Sequence, residues 1–289
     1  MKLLLLSSAL LLAPLAAVAA GPAPAAPHIV GMAHMAYNVT DLKAARDYYE
    51  GFLGFQEAFT LKNADGTDHV VYLKINDHQF IELYNEPVKN YGYIHDAGFE
   101  TNDAKGMHDH LVSVGDKVTD VKKDDAGNLS FEVTDNSGFT LQIVQYLPDS
   151  MTSKSKGKFL PASRISDHID HIGLLESDKD ATWKWYADAF GFTKEGDGTK
   201  MAIPGSPDRF EVGWEKKQPP AEARFHVKDH ICLSNSDVPK MTADLRAKPQ
   251  ITEFPDAIAD THQLGNGKNV VEIYDSNHNR VEVMEPAKD

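Results

Sequence analysis

The sequence predicts an α+β fold: four βαβββ modules arranged as two paired domains, each with a cleft formed by curved mixed sheets. Three observations predict it: a repeat between the halves of the chain, a weaker one that doubles each half, and a polar stretch between them. His34-Met35-Ala36-Tyr37-Asn38-Val39-Thr40-Asp41 returns 137 residues later as His171-Ile172-Gly173-Leu174-Leu175-Glu176-Ser177-Asp178. The same offset carries Tyr49 to Tyr186, Gly54 to Gly191 and Phe55 to Phe192, which marks a duplicated unit. Asp96 to Asp103 parallels His230 to Asp237 at an offset of 134, and Asp135 to Gln142 parallels Asp275 to Glu282, each pair seven residues apart around a turn.

Each copy opens on an alternating apolar segment with the period of a strand. Asp41 or Asp178 then stands at a helix start, where a carboxylate caps free N–H groups. In the first copy Leu42, Ala45, Tyr49, Phe52 and Leu53 recur at helical spacing, and Gly54 falls where a left-handed C-terminal residue is wanted. Strands are predicted at Phe55 to Leu61, His69 to Ile75 and Phe80 to Tyr84, with turns at Asn63-Ala64-Asp65-Gly66 and Asn76-Asp77. The domains run 29–147 and 166–289, with a linker over 148–165 whose stretch from Pro148 to Pro161 is rich in Ser, Lys and Gly. A short open sheet cannot bury both faces, so pairing two modules closes a core and leaves a cleft.

Before the first domain, Lys2 and an apolar run lead to Ala16-Ala17-Val18-Ala19-Ala20. This is the pattern of a secretory signal peptide over residues 1–20, cleaved near Ala19 or Ala20. Pro14 breaks the run short of the roughly 20 apolar residues a membrane span needs. Residues 21–28 form a Pro- and Ala-rich flexible leader. The expected mature chain is secreted or periplasmic, with no stable membrane anchor after cleavage. Its one cysteine, Cys232, precludes an internal disulfide. With 43 acidic against 29 basic residues, the chain repels nucleic acid and anionic membrane, so the expected partner is a small-molecule substrate. Homo-oligomerisation is left open.

On a strand, residues i, i+2 and i+4 share a face, so a His on a first strand and a Glu on a last strand can meet in the cleft. In the C-terminal half the candidate metal ligands are His171, His230 and Glu282, with Glu211 as a fourth. Two imidazoles and a carboxylate with open positions suit Fe(II), and also Mn(II) or Zn(II). The N-terminal half keeps His34 and Glu82 but has Asp96 in place of His230 and Gln142 in place of Glu282. Its site is expected to be vestigial.

The segment His34 to Asp41 with Tyr49 and Leu53-Gly54-Phe55, repeated from His171 to Phe192, resembles the vicinal oxygen chelate superfamily: glyoxalase I, bleomycin-resistance proteins and extradiol ring-cleaving dioxygenases. Four modules in one chain look most like the two-domain extradiol dioxygenases. That resemblance implies a vestigial N-terminal pair and Fe(II) held by His171, His230 and Glu282. It implies a Tyr and a His near the last ligand, for which His226, His262 and Tyr274 are the catalytic candidates. The sequence departs from that pattern, since Glu272 falls at the aligned Tyr position. The leading expectation is a secreted mononuclear Fe(II) dioxygenase acting on a small aromatic or vicinal-oxygen substrate. The alternative is a glyoxalase-like lyase, isomerase or hydrolase using Zn(II), Mn(II) or Ni(II), favoured if Glu211 is a fourth ligand. A third reading is a small-molecule binding protein of the resistance type.

Overall fold

The structure, a computed structural model, describes residues 28–87, 94–176, 178–196, 198–214 and 229–286. The segment expected to be a signal peptide, nearly all of the expected leader and His226 lie outside the described residues. Two eight-stranded mixed sheets are built on one plan. The first module contributes β1 (Ile29–Asn38), α1 (Leu42–Arg46), β2 (Gln56–Lys62), β3 (Asp68–Lys74) and β4 (Phe80–Tyr84). The second contributes β5 (Ile94–Thr101), α2 (Ala104–Val114), β6 (Lys122–Lys123), β7 (Leu129–Thr134) and β8 (Thr140–Gln145). A short helix, α3 (Met151–Lys154), lies between the halves.

The third module holds β9 (Ile169–Glu176), α4 (Lys179–Phe190), β10 (Thr193–Glu195), β11 (Lys200–Ala202) and β12 (Arg209–Trp214). The fourth holds β13 (His230–Ser234), α5 (Val238–Arg246), β14 (His262–Gln263), β15 (Asn269–Tyr274) and β16 (Arg280–Met284). Each first strand runs parallel to its own module's last strand and antiparallel to the other module's first strand, so β1–β5 and β9–β13 seam the pairs.

The local signals explain the elements. Asp41 and Asp178 accept from the N–H groups of Ala44 and Ala181, at 2.9 and 3.0 Å, and Asp103 and Asp237 cap the other two modules' helices in the same way. Gly54 has φ +85° and stands so near the Ser163 carbonyl that a Cβ would lie 2.5 Å from it, which only glycine tolerates. One departure is local: α1 gives way to a π-helical turn over Asp47–Phe52, with the Leu53 N–H reaching the Tyr48 carbonyl. Tyr48, Tyr49 and Phe52 on this wider turn are all buried.

β1 is also buried on both faces over most of its length rather than alternately. Met35, Tyr37 and Val39 enter a core shared by both halves, while His34, Ala36 and Asn38 take the opposite parity, towards the concave side of the sheet. The halves interlock crosswise. Tyr49 of the first module donates to Asp275 in the fourth, and Tyr186 of the third donates to Asp135 in the second, both at 3.2 Å. Phe99 packs on Phe190 and Phe192, and Tyr48 and Phe52 pack on Phe254.

Candidate metal centre

In the C-terminal sheet, parity separates core from cleft. Ile172, Leu174, Phe210, Val212, Ile231, Leu233, Val281 and Val283 enter the shared core. The alternate residues of the same four strands, His171, Glu211, His230 and Glu282, therefore share the concave face. Register brings them level: Gly173 pairs with both Glu211 and His230, and Cys232 pairs with both His171 and Glu282. Gly173 is required here, because a Cβ would lie 2.3 Å from the His230 ring.

The four side chains that the sequence nominates as ligands meet. His171 Nε2 is 3.2 Å from His230 Nε2, 3.3 Å from Glu211 Oε2 and 3.9 Å from Glu282 Oε1. Donors each about 2.1 Å from one ion stand roughly 3–4 Å apart. The donor atoms of His171, Glu211 and His230 all lie within 4.8 Å of one another and suit a single divalent cation, while Glu282 stands outside that group, with Oε2 accepting from Arg280. Both imidazoles are buried and both carboxylates half-buried. His171 Nδ1 lies 2.8 Å from Asp170 Oδ1. In the tautomer whose Nδ1–H donates to this carboxylate, the Nε2 lone pair faces the other donors. Burial would raise the Asp170 carboxyl, but the His171 contact and the nearby Lys200 hold it well below the usual range.

Two cations flank the donors. Lys200 Nζ stands 3.1 Å from His171 Nδ1 and 3.6 Å from Glu211 Oε2. Arg280 Nη2 donates to Glu282 Oε2 at 3.0 Å and to Glu272 Oε1 at 2.6 Å, with Nη1 3.3 Å from His230 Nδ1. Tyr274 donates to Glu272 Oε2 at 2.7 Å; burial first and this carboxylate second push its hydroxyl up to about 12. Tyr274 thus reaches the donors only through Glu272 and Arg280. His262 is a different case: it sits exposed on β14, the outermost strand, and no contact among the described residues joins it to the donors. A second close group of donors, Asp170, His171 and Cys232, is less suited to an ion, because burial first and the Glu282 charge second push the Cys232 thiol up.

Asp170, Lys200, Glu272 and Arg280 are the residues that sequence reading missed. Arg280 and Glu282 lie two apart on one strand, so the period of two would have placed them on one face. Lys200 arrives from a three-residue strand that leaves no such signal.

In the N-terminal sheet the equivalent positions close on themselves. His34 Nδ1 lies 3.1 Å from Glu82 and Nε2 lies 2.9 Å from Asp96, all three buried. Burial alone would lower the imidazole, but Glu82 and the Asp96 hydrogen bond outweigh it and hold His34 up to about 9. Burial in turn pushes Glu82 up to about 7. Gly98 makes room for the ring, since a Cβ there would lie 2.2 Å from it.

Paired βαβββ modules with a metal-suited donor set on the concave face define a vicinal oxygen chelate protein. The chain belongs to the Glyoxalase/Bleomycin resistance protein/Dioxygenase superfamily, whose family model matches residues 31–143 and 168–283. A search of the curated proteins gives no match. Among solved structures, the fold is similar to homoprotocatechuate 2,3-dioxygenase from Arthrobacter globiformis, with TM-score 0.67 and 17% identity over 92% of this chain and 82% of that one. It is equally similar to the 2,3-dioxygenase LapB from Pseudomonas sp. KL28, with TM-score 0.67 and 16% identity over 91% and 94%. An extradiol ring-cleaving dioxygenase from B. fuscum matches with TM-score 0.66 and 18% identity over 93% and 75%. At these identities the likeness is one of fold. Family and architecture together class the chain with the metal-dependent enzymes of the superfamily.

Proposed function

We propose that the C-terminal cleft holds one divalent cation through His171, His230, Glu282 and Glu211, and that the enzyme acts on a small substrate bearing two adjacent oxygen atoms. The observation that carries this is the convergence of His230, Glu211 and Glu282 on His171 Nε2, at 3.2, 3.3 and 3.9 Å. When bound, the ion would supply Lewis acidity, lowering the cost of negative charge on the substrate oxygens. Asp170 orients His171, and Lys200 and Arg280 put positive charge beside the place such a substrate would take.

Glu211 favours the non-redox reading: a metal-dependent isomerase, lyase or hydrolase. A six-coordinate ion with four protein donors keeps two positions, enough for a vicinal oxygen pair. Ring cleavage with O2 wants the three-donor arrangement with more open positions. Fe(II) extradiol-type cleavage of a small aromatic substrate is the second reading, favoured by the four-module likeness to dioxygenases over nine-tenths of the chain. The signal-peptide reading of residues 1–20 supports an exported enzyme.

Metal analysis of protein purified without added metal, followed by oxygen uptake by Fe(II)-loaded protein with a catechol panel, separates the readings. The first expects Glu211→Ala to weaken cation affinity about tenfold or more, by analogy with the loss on removing outer partners, and expects no oxygen uptake. Stoichiometric uptake, with affinity unchanged in Glu211→Ala, would establish the second.

A further inference from the structure

The concave side of the N-terminal sheet encloses a cleft of about 400 Å³, within the range of small-molecule sites. The place a cation takes in the other half is filled here by His34, clasped between Glu82 and Asp96. The cleft itself is lined by other residues, Tyr72, Tyr84, His95 and Gln142 among them. Part of its wall is aromatic: Tyr84 stacks on His95 with centroids 3.8 Å apart and planes 7° from parallel, His69 meets Tyr84 edge-on, and Tyr72 also lines the cleft, stacked on Phe59. Val70, Tyr72, Phe80 and Ala126 form a separate apolar cluster beneath it.

The charged rim is acidic on balance. Glu86, Asp124, Asp125 and Glu132 line the cleft against Lys122 and Lys123; Lys123 is turned to Asp149 at 3.3 Å, and Glu86 meets His69 at 3.1 Å. Tyr84 of the lining donates to Glu82 at 3.4 Å. A free anion is repelled by this balance, and a metal finds its carboxylates already taken. Aromatic faces over an acidic surround suit a positive charge on an apolar body, which the ring quadrupoles and the carboxylates both attract.

We propose that the N-terminal cleft is a second, metal-independent binding site for a small organic cation, an ammonium on an aromatic or aliphatic body, with Tyr72 and Tyr84 among its lining. The site stands apart from the chemistry assigned to the C-terminal cleft and does not depend on it.

Calorimetric titration of the full chain in the presence of a chelator tests this with three probes of one shape: benzyltrimethylammonium, benzyl alcohol and benzoate. The cation should bind once per chain and about tenfold more tightly than the alcohol, with benzoate weakest. Tyr84→Leu should weaken the cation about fivefold or more. The exposed pair Asp125→Asn and Glu132→Gln, which leaves the apolar cluster untouched, should erode the preference for the cation over the alcohol. His171→Ala should change nothing. The proposal is overturned if the cation does not bind, if the alcohol binds as well as the cation, or if binding is lost in His171→Ala and kept in the N-terminal variants.

Discussion

In the C-terminal cleft two imidazoles and two carboxylates face one another across 3.2 to 3.9 Å, measured from His171 Nε2. In the N-terminal cleft a single imidazole is gripped by two carboxylates at 2.9 and 3.1 Å. The strands and their register correspond, but the glycines that admit the rings do not: Gly98, which makes room for His34, is matched by Cys232, and Gly173, which makes room for His230, by Ala36. The divergence lies in Asp96 for His230 and Gln142 for Glu282. Replacing a neutral imidazole by a carboxylate turns the neighbouring histidine from a lone-pair donor into a buried cation. One scaffold can therefore present either a set of ligands or a closed ion-pair cluster, depending on the charge at one strand position.

The largest effect expected from this contrast is on stability in the N-terminal half. His34 is raised to about 9 in the folded protein against 6.5 in the unfolded chain. Its contribution is therefore fully present below about pH 6.5 and is lost as pH rises through about 9. The difference corresponds to about 3 kcal/mol, as an order of magnitude. His34→Gln should lower stability at pH 6.5 and flatten its decline between pH 7 and 9 in denaturant unfolding. An unchanged slope would mean that the imidazolium is not what holds the cluster.

Next comes Asp170, 2.8 Å from His171 Nδ1. Asp170→Asn should weaken divalent-cation affinity about 10- to 100-fold, read by competition with a chromophoric chelator. No loss would mean that His171 is oriented by its strand alone. The smallest effect tests the crossed contacts. Tyr49→Phe and Tyr186→Phe each remove one hydroxyl from an equivalent aspartate, and each should cost about 1 kcal/mol. Markedly unequal losses in unfolding experiments would show that the halves are coupled less symmetrically than their geometry.

Much of this was legible in the sequence because it rests on periodicity and on offsets. The 137-residue repeat located both module pairs, the capping aspartates marked the helix starts, and Gly54 marked the turn after the first helix. His171, His230 and Glu282 were read at repeat-equivalent positions and Glu211 beside them as a fourth; the structure places all four on one face, with His171, Glu211 and His230 within 4.8 Å of one another. Other features were hidden for physical reasons. The π-helical turn depends on packing Tyr48, Tyr49 and Phe52 together into the shared core, which no local signal announces. Lys200 and Glu272 reach the site through cross-strand register, which a single sequence does not fix. His262 carries suitable chemistry, but its short edge strand holds it in solvent, away from the donors.

The contrast between the clefts is tested most directly by counting bound metal per chain in the parent, in His171→Ala and in His34→Ala, using elemental analysis after growth without added metal. The account predicts one ion per chain in the parent, none in His171→Ala and one in His34→Ala. An ion retained in His171→Ala, or lost in His34→Ala while that variant remains folded by circular dichroism, would contradict it.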